Sequence, residues 1–201
     1  MAAINLVKGQ KIDLTKGDGG KLASFCVGAN WGMIEKKGFL GGNKKVAVDL
    51  DLSVGMFDAN KNLIDTVSFQ NLIAPGILHS GDDTEGDADG DDGLDNEVVN
   101  VTLASIPANV EQVVFILNSF QKQDFATVPF AAIRLYEGTP DRVDAVVANF
   151  NISSDPKFAG FISMILGKLY RRNGEWKFAS IGEPTKDGAI AGTLNTAKAY
   201  L

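Results

Sequence analysis

The sequence predicts an all-β protein: a sandwich of two antiparallel sheets with one or two short helices. Three observations carry this. Runs rich in Val, Ile, Leu and Phe recur along the chain, each bounded by Gly, Asn, Asp or Pro, as short strands joined by turns would be. Asn173-Gly174 falls between Leu169-Tyr-Arg-Arg and Glu175-Trp-Lys-Phe, and both residues tolerate the positive φ that a two-residue hairpin needs. Helical periodicity is sparse, which favours packed sheets over a parallel α/β arrangement.

Strands are expected at 24–29, 46–54, 63–69, 98–103, 113–117, 131–136, 143–149, 161–170 and 176–181. The second alternates strictly, with Val46, Val48, Leu50, Leu52 and Val54 on one face. It reads as a half-buried strand whose other face, bearing Asp49 and Asp51, is polar. A helical turn is expected near 121–126 and a helix within 188–201, weakened by Gly192. At 201 residues the chain is expected to form a single domain, 1–201.

Composition narrows the function. The net charge of −6 is one local feature: nine of the 25 acidic residues fall within the sixteen positions 82–97, and the remaining sixteen are outnumbered by 19 Lys and Arg. One cysteine, Cys26, allows no internal disulfide, and the first residues lack the apolar core of a signal peptide, so a cytoplasmic protein is expected. No apolar window is long enough for a membrane span. With one histidine, His79, and one cysteine, His/Cys zinc clusters and nucleophile systems that need other histidines are excluded. His79 and the tryptophans Trp31 and Trp176 read as structural, and Cys26 as a buried small hydrophobe.

The acidic segment contains no Lys or Arg, so folding it compactly sets like charges against one another at about 1 kcal/mol per pair even in water. Such runs are ordinarily solvated. Here Gly81, Gly86, Gly90 and Gly93 interleave with the acids, and Asp outnumbers Glu seven to two. Short carboxylates on a backbone free to bend suit Ca²⁺, which takes six to eight oxygens. Asp is depleted in strands, so Asp49 and Asp51 read as the fixed half of a site onto which the loop folds. Eleven carboxylates offer about 22 oxygens, enough for two Ca²⁺.

Known calcium loops do not fit. An EF-hand loop begun at Asp87 has Asp92 where Gly belongs and Val98 where Glu belongs, and the glycine spacings show no nine-residue repeat.

Three motifs in order do match a family. His79-Ser-Gly-Asp-Asp-Thr-Glu-Gly-Asp-Ala-Asp-Gly-Asp-Asp, the upstream Val48-Asp-Leu-Asp-Leu, and Leu169-Tyr-Arg-Arg-Asn-Gly-Glu-Trp-Lys-Phe-Ala-Ser-Ile-Gly resemble the TerD family of tellurium-resistance and stress-response proteins, over nearly the full chain. The resemblance implies a cytoplasmic, calcium-binding β-sandwich with no established enzymatic activity. It also implies protein partners in a stress-response complex at the membrane surface. Its metal positions map onto Asp49, Asp51, Asp82, Asp83, Gly86, Asp89, Asp91, Asp92 and Glu97, with Gly90 in the motif and Glu85, Asp87 and Asp95 at variable or inserted positions.

Two departures bear on that mapping. Gly93-Leu-Asp-Asn intervenes before Glu97, so Glu97 is open to displacement and Asp95 to recruitment. Asn30-Trp31-Gly32 lacks the aspartate that usually follows Gly-Trp. The alternative function is a metal-dependent hydrolase, in which clustered carboxylates hold two cations that activate water. Nucleic-acid binding is not expected, because Lys36-Lys37 and Lys44-Lys45 flank a Gly-rich turn and read as a solvated loop.

Overall fold

The computed structural model describes residues 3–16, 19–38, 41–151 and 156–201. In chain order its strands are β1 (Ile4–Asn5), β2 (Lys11–Asp13), β3 (Ser24–Trp31), β4 (Ile34–Lys37), β5 (Asn43–Val46), β6 (Leu50–Phe57), β7 (Leu63–Val67) and β8 (Ile73–Ala74). They continue with β9 (Ile77–His79), β10 (Glu97–Thr102), β11 (Gln112–Ser119), β12 (Ala131–Thr139), β13 (Arg142–Asn151), β14 (Ser163–Arg172) and β15 (Glu175–Thr185). One sheet has the order β1-β13-β12-β3-β10-β9-β8, the other β2-β15-β14-β11-β6-β7. Pairing in both is antiparallel except between β1 and β13. β4 and β5 form a separate ribbon.

The sheets close on a shared core in which Leu50, Leu52, Val54 and Met56 of β6 meet residues of β3 and β10 such as Phe25, Val27, Val99 and Val101. Alternation along β6 sends Phe57 to the opposite face. There, with Val114, Ile116, Ile165 and Ile181, it packs beneath Leu194 and Ala197 of the helix α1 (Ile190–Ala197). The sandwich is therefore closed in part by a third layer. Each large apolar side chain buried in these clusters contributes about 1.5–3 kcal/mol.

The strands at 24–29, 63–69, 98–103, 113–117, 131–136, 143–149, 161–170 and 176–181 are all present with shifted ends. The Asn173-Gly174 hairpin is also present, with φ of 52° and 77°. Of the expected helices, the first is a 3₁₀ turn at Phe125–Thr127, capped by the Asp124 carboxylate accepting from Ala126 N. The second is α1, followed by a 3₁₀ turn at Lys198–Tyr200.

The single half-buried strand expected over 46–54 is not formed. β5 ends at Val46, and β6 begins at Leu50 and is buried on both faces. Asp49 is 6% exposed and Asp51 3%, so neither faces open solvent. Alternation shows which residues share a face; it carries no information about α1, more than 130 residues later, which covers the second one. β6 lies inside its sheet, between β11 and β7. β7, however, pairs only with Val54–Phe57, leaving the start of β6 without a strand on that side. No helix of the described residues is long and apolar enough to cross a membrane.

Candidate metal centre

The acidic segment joins β9 to β10, which are antiparallel neighbours with His79 opposite Val99. It leaves and re-enters the sheet at one place, and the base is closed by Ser80 N donating to Val98 O at 2.8 Å and Val98 N to Ser80 Oγ at 2.9 Å. Trp31, fully buried at the end of β3, holds the middle. Its carbonyl accepts from Asp87 N at 2.9 Å, its N–H donates to Asn96 Oδ1 at 2.8 Å, and its indole donates to Val48 O at 2.7 Å. Val48 N in turn donates to Glu85 O at 2.9 Å. These bonds lay the segment along the 47–49 connection, beside Asp49 and Asp51.

The first carboxylate group follows from that placement. Asp49, Asp51 and Asp82 each present an oxygen within 4.8 Å of the others. Removal from water, followed by the charges of Asp82, Glu97 and Asp83, pushes Asp49 up to about 6. Burial, with the charges of Glu97, Asp49 and Asp82, pushes Asp51 up to about 7. Neighbouring groups thus repel one another in a place where water screens them poorly.

Glu97 and His79 occupy the side of β6 that β7 leaves unpaired. Leu52 N donates to Glu97 Oε2 at 2.7 Å, and Leu52 O lies 2.8 Å from His79 Nε2. Gly81 N donates to His79 Nδ1 at 3.1 Å, which places the ring proton on Nε2. The second Glu97 oxygen accepts from Asp83 N at 3.3 Å. Burial pushes the Glu97 carboxyl above its ordinary range despite His79 and these N–H donors. Two side chains therefore stand in for a missing strand.

The second group is Asp87, Asp91 and Asp92, again with oxygens within 4.8 Å of one another but more exposed. Asn96 Nδ2 donates to Asp87 Oδ1 at 3.0 Å, and Asn30 Nδ2 to Asp91 Oδ1 at 2.8 Å. The remaining Asn30 oxygen is buried with no hydrogen-bond partner among the described residues. A hard cation fits this chemistry: the donors are all oxygens, Asp49 and Asp51 of the first group are withdrawn from water beside other carboxylates while Asp82 stays exposed, and the second adjoins an orphaned amide oxygen.

The family model described as the TerD domain matches residues 1–196. The chain belongs to the TerD family. The tellurium resistance protein TerZ of Serratia marcescens is 33% identical over 191 residues, covering 93% of each chain. Stress response protein SCP2 of Bacillus subtilis is 36% identical over 201 residues, 92% of this chain and 94% of the relative. Among solved structures, a homologue of telluride resistance protein TerD from Streptomyces coelicolor superposes with a TM-score of 0.65 at 15% identity. The match covers 85% of this chain and 94% of that one, and this likeness speaks for the fold.

The positions carried over from the TerD resemblance have different roles in the structure. Asp49, Asp51 and Asp82 come together, and Asp91 and Asp92 come together with Asp87, which sits at a variable position. Asp83 Oδ1 accepts from Glu85 N and Gly86 N at 2.9 and 2.8 Å, shaping the turn. Glu97 serves the β6 backbone. Asp89 points to solvent and pairs with Lys45.

The insertion before Glu97 has its own anchor. Asp95, its side chain fully buried, lies against Gly28 and takes Arg134 Nε at 2.9 Å, while Arg134 Nη2 donates to Gly93 O at 2.7 Å. Burial raises Asp95 to about 6 even against that guanidinium. It joins neither carboxylate group. Glu97 keeps its place at the start of β10.

Asn30 and Asn96 are site residues that the acidic motif does not include. The signal was present at Asn30, in the substitution of an amide beside Trp31. Gly86 has a structural reason to be glycine: its φ is +77°, and a Cβ there would lie 2.5 Å from Trp31 Cδ1. Gly86→Ala is expected to destabilise by about 1–3 kcal/mol. Thermal unfolding followed by tryptophan fluorescence checks it, and an unshifted midpoint would refute the packing described.

Proposed function

We propose that this TerD-family protein is a calcium-binding stress-response protein whose acidic segment is ordered by two Ca²⁺ and then presents a surface to protein partners. The observation that carries the reading is the pair of three-carboxylate groups, Asp49/Asp51/Asp82 and Asp87/Asp91/Asp92, formed by the acidic segment, held by Trp31, together with Asp49 and Asp51. Ca²⁺ offsets the mutual repulsion of the first group's carboxylates, and its oxygen preference matches both groups. The names of the relatives, tellurium resistance and stress response, support the physiological half.

The role is one of binding, without catalysis, in the cytoplasm and at the membrane surface through partners. Two Ca²⁺ leave the segment strongly negative, a face that attracts a basic partner. The hydrolase alternative gains nothing from the geometry, because the one imidazole is already engaged with Leu52 O and Gly81 N.

Calorimetric titration of chelator-treated protein with Ca²⁺ tests the reading. Two binding events are expected, with Asp82→Asn removing one and Asp92→Asn the other. Absence of any binding tighter than millimolar would sink it.

A further inference from the structure

The ribbon of β4 and β5 stands beside the second carboxylate group. It pairs with neither sheet, and its register sets Lys36 opposite Lys44 and Glu35 opposite Lys45. Like charges directly opposite one another destabilise a strand pair. Lys36, Lys37 and Lys44 are exposed, with no hydrogen-bond or ion-pair partner for their side chains among the described residues. Glu35, the one acid among these four lysines, accepts from Asn43 Nδ2 at 3.2 Å. Nothing in the packing of the sandwich calls for so basic a ribbon.

Its position does. Gly32 and Asp87 form a parallel bridge, and Met33 N donates to Asp87 O at 3.0 Å, so the ribbon springs from the backbone of a second-group residue. On its other strand Lys45 forms an ion pair with Asp89. A cleft of about 360 Å³ lies between the two elements, with Met33, Glu35 and Lys45 on one side and Asp87, Asp89 and Phe130 among the residues that close it. From Asp82 to Asp92, Asp89 alone has a basic side chain in an ion pair among the described residues. That pair is open to water, the Lys45 side chain being 40% exposed and that of Asp89 94%, so it is weak and readily given up.

We propose that the ribbon is a built-in counter-charge for the acidic segment: in the metal-free protein Lys45 stands on Asp89 in place of a cation, and Ca²⁺ at Asp87, Asp91 and Asp92 displaces it. Asp89 is then the ribbon's anchor and not a calcium ligand. An ammonium and Ca²⁺ beside the same carboxylates repel each other. The coupling is reciprocal, so a lysine that opposes the ion is opposed by it. The affinity of the second ion is thereby set in part by a residue about forty positions before the acidic motif, within reach of it only through the Met33 and Asp87 backbones. This inference rests on the calcium half of the function proposed above and assigns Lys45 and Asp89 their parts in it.

The test is a calcium titration of the full chain carrying Lys45→Gln, Asp89→Asn or both, at low and at high salt. Lys45→Gln is expected to tighten the second ion about threefold at low salt, and the gain to vanish at high salt, where the charges are screened. Asp89→Asn is expected to weaken it by a similar factor, and the double variant to return to within about twofold of the parent. Loss of the second ion in Asp89→Asn would make Asp89 a ligand and overturn the anchor assignment. The metal-free protein gives a second readout, NMR relaxation of the lysine Cε groups. Lys45 should be more ordered than Lys36, Lys37 and Lys44; Asp89→Asn should make the four alike, and so should Ca²⁺ added to the parent. Four alike before calcium would overturn the pairing, and a Lys45 equally ordered with and without calcium would overturn the displacement. Absence of calcium binding in parent and variants alike defeats the function proposed above, whereas calcium binding that Lys45→Gln leaves unchanged defeats this inference alone.

Discussion

Glu97→Ala is expected to lower the stability of this protein by about 3–5 kcal/mol, a large part of the 5–15 kcal/mol typical of a folded domain. The side chain is fully enclosed. Its removal leaves Leu52 N and Asp83 N without acceptors, leaves His79 Nε2 without the carboxylate 3.5 Å away, and opens a void at the junction of the two sheets. Each unpaired buried donor costs about 1–3 kcal/mol. Glu97→Gln keeps the volume and one acceptor oxygen but turns an amide N–H toward a donor, so about half the loss is expected. Urea denaturation with an unchanged m-value and a lower midpoint would report it. A Glu97→Ala protein within about 1 kcal/mol of the parent would show that β6 does not depend on this carboxylate.

Asp51→Asn is expected to act in the opposite direction, making the metal-free protein more stable by about 1–3 kcal/mol at pH 7.5 while abolishing calcium binding at the first group. An unfolded aspartate titrates near pH 4, whereas Asp49 and Asp51 in the folded chain are raised to about 6 and about 7. Between those limits the folded state holds more protons than the unfolded one. Their contribution therefore falls as pH rises from about 4 to about 7 and is level above that. Thermal unfolding of the metal-free parent and the variant across pH 5 to 8 isolates the Asp51 share as the difference between the curves. The variant's advantage should grow with pH to about 7 and then hold. An advantage that shrinks with rising pH would contradict the burial described, and saturating Ca²⁺ should restore the parent's stability at pH 7.5.

Much of this was readable from residues alone, for identifiable reasons. The long strands announce themselves because β-branched and aromatic runs bounded by turn residues are local facts, and Asn173-Gly174 fixes its hairpin by local backbone preference. β1, β2, β8 and β9 have two or three residues each, too few to display a period. The convergence of Asp49 and Asp51 with Asp82 was foreshadowed by acids standing in an otherwise apolar strand. The work done by Glu97 was not, because a side chain replacing a strand's backbone partner depends on which residues the other sheet brings near. Motif position sets Asp87 at a variable place, whereas its membership in the second group comes from Trp31 clasping its backbone. Asp95 was set aside for the insertion's anchor by Arg134, 39 residues onward.

The closure of the acidic segment by β9 and β10 has a kinetic and evolutionary consequence. Both ends are held by neighbouring strands, so the entropy of bringing them together is already spent by the sheet, and lengthening the span adds only a logarithmic increment, about 0.6 kcal/mol per doubling. Ordering and loosening within 82–97 can then proceed as a local event, without breaching the sandwich. Residues can be added there, as between Gly93 and Asn96, and the carboxylates rearranged, while both sheets keep their register. The protein carries its acidic segment as an exchangeable insert in a fixed frame.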